Sequence, residues 1–210
     1  MILHDLPGAP NPTKVRLYIA EKAAQGVQMD LEIRKVNVFK KANRAAEFLA
    51  KNPFGTMPVL ELDDGRTIFE SLAIIEYLEE KYPEGSMWGD SPEERGRART
   101  LERVADVRVL TPSASYVHAT NSPLGYEPNA VIAKHALTQL NTAFTWLDRE
   151  LADGRPFLMG ERVTVADCTL QGALQFMRFR ELENLAEFPN INRWSADYRL
   201  REPARQVLMF

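Results

Sequence analysis

The stretch from Asn52 to Ser71, NPFGTMPVLELDDGRTIFES, decides the fold that the sequence predicts. It contains an X-Pro bond at Met57-Pro58, where a cis peptide is accessible, directly before the first of two short apolar runs. The runs VLEL and TIFE are joined by Asp63-Asp64-Gly65, which is a strong hairpin signal. The pair Glu70-Ser71 then stands where the next helix begins. The stretch therefore predicts a turn, two hairpin strands and a helix start, in that order.

This unit offers hydrogen-bonding groups to a small ligand. The N–H and C=O of Met57 lie just before the strand, where they can pair with a peptide as an added strand would. The helix that begins at Glu70-Ser71 presents backbone N–H groups, which favour a carboxylate. We therefore expect the unit to bind a small peptide that carries amino and carboxylate ends.

Composition narrows the class of protein. The chain has 210 residues and a net charge of −3, so it does not indicate a nucleic-acid partner. It contains no run of about 18 apolar residues, so we expect no membrane span. The polar start MILHDLPGAP is not typical of a signal peptide. The single cysteine, Cys168, excludes an internal disulfide and fits a reducing cytoplasm. The histidines lack partners at metal-ligand spacing, so we expect no metal.

The first part of the chain predicts an α/β unit. Helical and alternating patterns follow one another in the order β-α-β-α-β-β-α, which is the thioredoxin-like arrangement of a mixed sheet between helices. The predicted elements are a strand at 2–6, helix 13–25, strand 29–36, helix 42–51, the hairpin strands and helix 71–81.

The second part predicts an all-α unit. Prolines and glycines cluster over 83–90, which we interpret as a linker between domains at 1–82 and 91–210. Strand signals almost vanish after it, and helices are expected at about 91–116, 129–151, 164–179 and 188–197. Thr164 and Asp167 have the spacing of a capping box and are expected to be structural.

The ordered series over 52–71 closely resembles the glutathione-binding half of the thioredoxin-like domain in cytosolic glutathione transferases. The segments FLMGERVTVADC and FPNINRW resemble the helical domain of the same family, so the resemblance spans nearly the whole chain. It is similar to bacterial members of theta, nu or phi type. The resemblance implies that Met57 and Pro58 meet the cysteinyl backbone of glutathione, and that Glu70 and Ser71 bind its γ-glutamyl end.

The resemblance also implies a site for the glycyl carboxylate of glutathione. Lys41 is the expected contact, and Lys40 and Asn43 lie in the same segment and stay open as alternatives. Thr56, two residues before Pro58, is a weaker candidate. A basic run of this kind also suits a plain solvated surface.

The residue that stabilises the thiolate is where the sequence departs from the family pattern. The serine position of related members falls on Ala9, which has no hydroxyl. Asn11 is the expected replacement, because its amide can donate to a thiolate and some nu-like members carry Pro-Asn at this place. Thr13 is a second candidate. The alternative for Asn11 is a turn or capping role.

The resemblance implies a transferase that joins the glutathione thiolate to an apolar electrophile, in detoxification and as a cytoplasmic homodimer. Tyr116, His118 and Asn121 are possible lining of the electrophile pocket. Glutathione-dependent reduction of disulfides or peroxides is an alternative, and an isomerase is a weaker one. A non-catalytic binding or interaction protein that keeps the fold is the third alternative, which Ala9 favours.

Overall fold

Residues 1–209 are described by a computed structural model, and Phe210 lies outside this range. Four short strands form one sheet: β1 Ile2–Asp5, β2 Glu32–Lys35, β3 Val59–Glu61 and β4 Thr67–Phe69. The strand order is β2-β1-β3-β4. Strands β1 and β2 are parallel, whereas β3 is antiparallel to both of its neighbours. The predicted mixed sheet is therefore confirmed.

The other elements of residues 1–209 are mainly helices, which are joined by loops and turns. These helices are α1 Pro10–Ala24, α2 Ala46–Lys51, α3 Ser71–Lys81, α4 Pro92–Arg103, α5 Thr111–Thr120, α6 Ala130–Glu150, α7 Val165–Phe179, α8 Pro189–Arg199 and α9 Glu202–Val207. The α/β first part and the helical second part confirm the predicted fold class. Buried side chains of both parts form one continuous core. The division of the chain at 83–90 stays a prediction.

Helix α1 begins three residues earlier than the sequence suggested. We expected its start at Thr13, but the structure places Pro10 at the first helical position, after Ala9. Proline suits the first turn of a helix, because the N–H that it lacks has no intrahelical partner there. The run PNP is therefore helix and not loop, and Asn11 lies inside the first turn.

Two further features of the helical part differ from the expectation. The long helix predicted at 91–116 is interrupted by a π-helical segment, Val104–Leu110, between α4 and α5. Helix α9 was not predicted, because six residues with two apolar positions carry little periodic signal.

Two buried lysines hold α1 in place, Lys14 against the helical part and Lys22 against the end of α3 and the residues after it. The Lys14 Nζ donates to Glu102 Oε1 at 2.7 Å and lies 3.4 Å from Asp106 Oδ2 in the helical part. The Lys22 Nζ donates to the carbonyls of Tyr82 and Glu84 just after α3. A buried charge is tolerated only when it is paired or hydrogen-bonded, so these contacts fix where α1 lies.

Helices α1 and α7 meet at Gly172. A Cβ on Gly172 would lie 2.9 Å from the Pro10 carbonyl oxygen and 3.4 Å from the Lys14 nitrogen. Only a residue without a side chain allows this approach. The contact is made by the first turn of α1, which also carries Asn11.

No helix in the described range 1–209 combines the length and apolar character that crossing a bilayer requires.

Replacing Gly172 with Ala should force α1 and α7 apart. We expect Gly172→Ala to lower the free energy of unfolding by about 1–3 kcal/mol, because the added Cβ overpacks a backbone contact. Chemical denaturation measures the effect. The matched control is Gly96→Ala on α4, where a Cβ would meet no atom within 4 Å. That variant should be neutral or more stable by up to about 1 kcal/mol. Equal stability of the two variants would contradict the close contact.

Candidate functional site

The loop before β3 is organised by the buried side chain of Asn52. Its Nδ2 donates to the carbonyl and the hydroxyl oxygen of Thr56, both at 2.9 Å, and its Oδ1 accepts from the Phe54 N–H. The Met57-Pro58 peptide bond that follows is cis. Neither the Met57 N–H nor its C=O has a hydrogen-bond partner within residues 1–209. These two groups are therefore available to a ligand.

The segment that contains Asn43 and Arg44 is hydrogen-bonded to the loop before β3. The Asn43 Nδ2 donates to the Gly55 carbonyl at 2.8 Å, and Arg44 Nη1 donates to the Phe54 carbonyl. Gly55 has a φ of +64°, and a Cβ there would lie 2.8 Å from the Asn43 carbonyl. Because the Asn43 amide is used in this way, Lys40 and Lys41 are the remaining candidates to bind a ligand carboxylate. Lys41 is exposed and has no ion pair in the described chain.

Glu70 has an unusual backbone conformation at the start of α3. Its φ is +71°, in the region that favours glycine, and its side chain is exposed. Non-glycine residues held there cost roughly 1–3 kcal/mol and cluster at functional sites. No side chain caps α3, so the N–H groups of its first turn have no intrahelical partner. This end of α3 therefore offers several donors beside one free carboxylate.

Ser71 brings α3 into contact with α1. The Ser71 Oγ donates to Asn11 Oδ1 at 2.8 Å, and only 6% of Ser71 is exposed. The first turns of the two helices therefore meet, although their residues lie 60 positions apart in the sequence. The sequence suggested a role for each residue but not their direct contact.

Asn11 is the main donor that the first turn of α1 offers. The prolines at 10 and 12 have no N–H, and the Thr13 N–H is bonded to the Ala9 carbonyl at 3.0 Å. The Thr13 hydroxyl is buried and accepts from Gln175 Nε2 at 3.0 Å, so it packs against α7 and does not face the site. The donors that remain available in this turn are the Asn11 N–H and the Asn11 Nδ2.

The antiparallel pairing of Val59 with Phe69 sets the loop before β3 next to Glu70, and the Asn11–Ser71 hydrogen bond adds α1 to the same surface. This surface has backbone donors and an acceptor at Met57, helix N–H groups and a carboxylate at Glu70, and an amide donor at Asn11. A peptide with a carboxylate, an amino group and a side chain between them can satisfy all three. Asn11 and Ser71 are in contact, Glu70 precedes Ser71, and the strand pairing sets Pro58 beside Glu70, with Met57 and Thr56 before it in the loop.

The neighbouring surface includes Met209, which no pattern in the sequence predicted there. The Met209 N–H donates to Gln175 Oε1 at 2.7 Å, and the Met209 Sδ lies 4.0 Å from where a Gly8 Cβ would be. Tyr116, His118 and Asn121 were expected here. Their side chains contact the helical part, with His118 against Phe176 and Asn121 against Arg180, and their role as pocket lining stays a prediction.

The two halves of the chain match two family models. Residues 3–86 match the model described as Glutathione S-transferase, N-terminal domain, and residues 101–197 match Glutathione S-transferase, C-terminal domain. The chain belongs to the glutathione S-transferase family. Glutathione is the co-substrate of this family.

Relatives of this family cover the whole chain. Glutathione S-transferase 2 of Saccharomyces cerevisiae is 31% identical over 212 aligned residues, which cover 99% of this chain and 89% of that protein. The crystal structure of a glutathione S-transferase domain-containing protein from Marinobacter aquaeolei VT8 superposes with a TM-score of 0.87. It is 31% identical and covers 97% of this chain and 100% of that one.

A relative of another kind also matches. Elongation factor 1-gamma of Sus scrofa is 34% identical over 158 residues. The match covers 74% of this chain but 35% of that protein, so this chain corresponds to about a third of that relative. This chain is therefore similar both to named glutathione S-transferases and to part of elongation factor 1-gamma.

Cys168 does not belong to the site. It is fully buried at the start of α7, and its Sγ lies 3.8 Å from the Tyr198 hydroxyl. Burial raises the pKa of the Cys168 thiol well above its usual range. A thiolate is therefore disfavoured there, as expected for a small structural residue.

The strain at Glu70 predicts a difference between two variants that both lack the carboxylate. Glu70→Gly should be more stable than Glu70→Ala by about 1 kcal/mol, because glycine adopts a positive φ without steric cost. Thermal and chemical unfolding of the two proteins measure this difference. If Glu70→Ala is equally stable, the backbone at residue 70 is not strained.

The burial of Cys168 predicts its reactivity. An alkylating reagent should leave Cys168 unmodified in the folded protein near neutral pH, and should modify it fully after unfolding in denaturant. Mass spectrometry of the intact chain gives the readout. Rapid labelling of the folded protein would show that the thiol is accessible.

Proposed function

We propose that this protein is a glutathione transferase that joins the thiolate of glutathione to an apolar electrophile. The observation that carries the proposal is the meeting of α1 and α3 at the 2.8 Å Asn11–Ser71 hydrogen bond, beside the unpaired backbone of Met57. This contact supports the proposal that an amide donor, a set of helix N–H groups and a strand-like edge surround one space.

Each part of glutathione has a matching group in this proposal. The cysteinyl backbone pairs with the Met57 N–H and C=O beside Pro58, as an added strand would. The γ-glutamyl carboxylate lies on the first turn of α3, and its ammonium group pairs with Glu70. The glycyl carboxylate pairs with Lys41, and the Thr56 hydroxyl supports this end. The exposed, unpaired state of Glu70 and Lys41 supports these roles.

Asn11 is the proposed thiolate-stabilising residue, and Ala9 contributes no donor. A free thiol is mostly protonated at neutral pH, so a hydrogen bond to the anion raises the fraction that can react. In the reaction the thiol proton passes to solvent. The sulfur lone pair then forms the bond to the electrophilic carbon, and the leaving group departs with the electrons of its own bond.

The remaining features of the proposal come from the family resemblance. They are a homodimer, a cytoplasmic location and a role in detoxification. Exposed Val107 and the exposed arginines Arg99 and Arg103 on the outer face of α4 and the π segment give a surface for a second copy. The domain division at 83–90 belongs to the same proposal.

A non-catalytic protein with this fold is the second candidate. The match to elongation factor 1-gamma and the absence of a hydroxyl at Ala9 favour it. The two candidates differ in one measurable property, because a protein that serves only as an interaction module has no need to bind glutathione.

Calorimetric titration with glutathione separates the candidates. The native protein should bind with a dissociation constant between micromolar and millimolar. Glu70→Ala should bind at least about tenfold more weakly, because it loses a charged partner of the ligand ammonium.

Glu127→Ala is the matched control, since Glu127 is an exposed carboxylate in the loop before α6. It should bind glutathione as the native protein does. Absence of binding by the native protein would remove the transferase proposal and leave the interaction module. Equal binding by Glu70→Ala would remove the assignment of this residue.

A further inference from the structure

The segment 33–44, which follows the first residue of β2 and ends before α2, is the most basic part of the first half of the chain. It contains no acidic residue, and its five cationic side chains are all exposed: Arg34, Lys35, Lys40, Lys41 and Arg44. The whole chain has a net charge of −3, so the rest of it is strongly negative. This basic segment therefore differs in sign from the remainder of the molecule.

Most of these cations have no carboxylate partner within residues 1–209. Arg34 pairs with Glu32 at 3.0 Å, and Arg44 donates to the carbonyl of Phe54. The ammonium groups of the three lysines lie within ion-pair distance of no described carboxylate. Unpaired surface cations attract an anionic surface over about 8 Å at physiological ionic strength.

One large apolar side chain projects from the middle of the basic segment. Phe39 is 79% exposed, and Lys40 and Lys41 follow it directly. Val36 is the only buried residue of the basic segment, where it packs with Phe48. An exposed phenylalanine among cations differs from an apolar residue scattered singly on a polar surface, because its neighbours favour one kind of partner.

The turn that carries Phe39 is held by three hydrogen bonds. The Asn37 Oδ1 accepts from the Lys40 N–H at 3.0 Å, and the Asn37 carbonyl accepts from the Ala42 N–H at 3.1 Å. The Val38 carbonyl accepts from the Lys41 N–H at 3.0 Å. Such an asparagine-closed turn fixes the backbone on both sides of the ring. The ring is therefore presented in place, and binding does not need to order the turn first.

A single ring on a projecting turn suits the surface of a lipid bilayer. A bilayer admits an aromatic ring at the boundary between headgroups and acyl chains, whereas a protein partner must supply a matching pocket. Lysine stems lie along apolar surface while their ammonium groups reach the lipid phosphates. Basic clusters next to apolar anchors are typical of proteins that bind anionic lipids.

We propose that the basic segment docks this protein reversibly onto an anionic bilayer surface, with the Phe39 ring among the headgroups and the lysines on lipid phosphates. The negative charge of the rest of the chain is repelled by the same surface, so the protein is held in one orientation. This inference does not rest on the proposed function.

Docking in this orientation would place the candidate site beside the bilayer. Asn43 belongs to the basic segment, and its Nδ2 is bonded to the Gly55 carbonyl in the loop before β3. Apolar compounds accumulate in the hydrocarbon region of a bilayer. A site at this position would therefore lie next to the compartment in which apolar electrophiles concentrate.

Co-sedimentation with vesicles tests the docking directly. The native protein, without glutathione, is mixed with vesicles of phosphatidylcholine and phosphatidylglycerol in equal parts, and with vesicles of phosphatidylcholine alone. We expect binding to the mixed vesicles only. Binding should be lost at about 1 M sodium chloride, where the Debye length falls to about 3 Å. Sodium phosphate at matched ionic strength should compete no better than the chloride, because the ligand is a charged surface and not a free phosphate ion.

Removing the ring separates insertion from simple charge attraction. Phe39→Ser should bind the mixed vesicles at least about tenfold more weakly, because the apolar burial of the ring is lost. Val131→Ser is the matched control, since Val131 is also 79% exposed but lies on α6. It should bind as the native protein does.

Two double variants with the same change of net charge test the role of the lysines. The variant with Lys35→Gln and Lys40→Gln should bind about 25-fold more weakly, at about fivefold for each lysine. The control combines Lys134→Gln and Arg205→Gln, which are exposed cations of the helical part. It should change binding by less than about twofold.

A tryptophan at the tip reports where the ring lies. Phe39→Trp should bind as well as the native protein, and its added fluorescence should shift to the blue and be quenched by brominated lipids in mixed vesicles. Trp88 and Trp194 are buried in the native protein and give the background.

Several outcomes would overturn the inference. They are no sedimentation with mixed vesicles at low ionic strength, equal binding by Phe39→Ser, and equal losses in the two double variants. Retention of an acidic protein or a nucleic acid by the basic segment, without vesicle binding, would overturn it as well. None of these results bears on glutathione binding, which is measured separately by calorimetry.

Discussion

The contact between the first turn of α1 and the middle of α7 is the constraint on which the rest of the structure depends. Gly172 allows the Pro10 carbonyl to approach the α7 backbone, and Lys14, one turn further along, is buried against Glu102. The same turn carries Asn11. The position of the amide donor is therefore set by the packing of the two halves of the molecule. A shift of α1 that repacked the core would also move the site.

The second constraint is the hydrogen bond between Asn11 and Ser71. It links the starts of two helices that also contact each other further along, where Tyr18 and Lys22 of α1 meet Glu79 of α3. Groups held by two rigid elements keep their geometry better than groups on a loop. The side chain of Ala9 takes no part in this hydrogen bond. The two helix starts are therefore linked without the hydroxyl that the family pattern has at position 9.

The sequence predicted the sheet, the hairpin and most helices, because proline, glycine and apolar spacing act locally. It also named Asn11 and Ser71, which the structure brings into contact, although it did not predict that contact. It missed the start of α1, because a proline-rich run is typical of a loop. Proline is also compatible with the first turn of a helix, where the N–H that it lacks has no intrahelical partner. It also missed the Ser71–Asn11 bond and the Gly172 contact. Both depend on how distant elements pack, and no local pattern records that.

The most direct test of this account is a crystal structure of the protein with glutathione bound. The account predicts the sulfur within hydrogen-bonding distance of Asn11 Nδ2 and the γ-glutamyl carboxylate at the first turn of α3. A sulfur turned away from Asn11, or a carboxylate away from the first turn of α3, would contradict it.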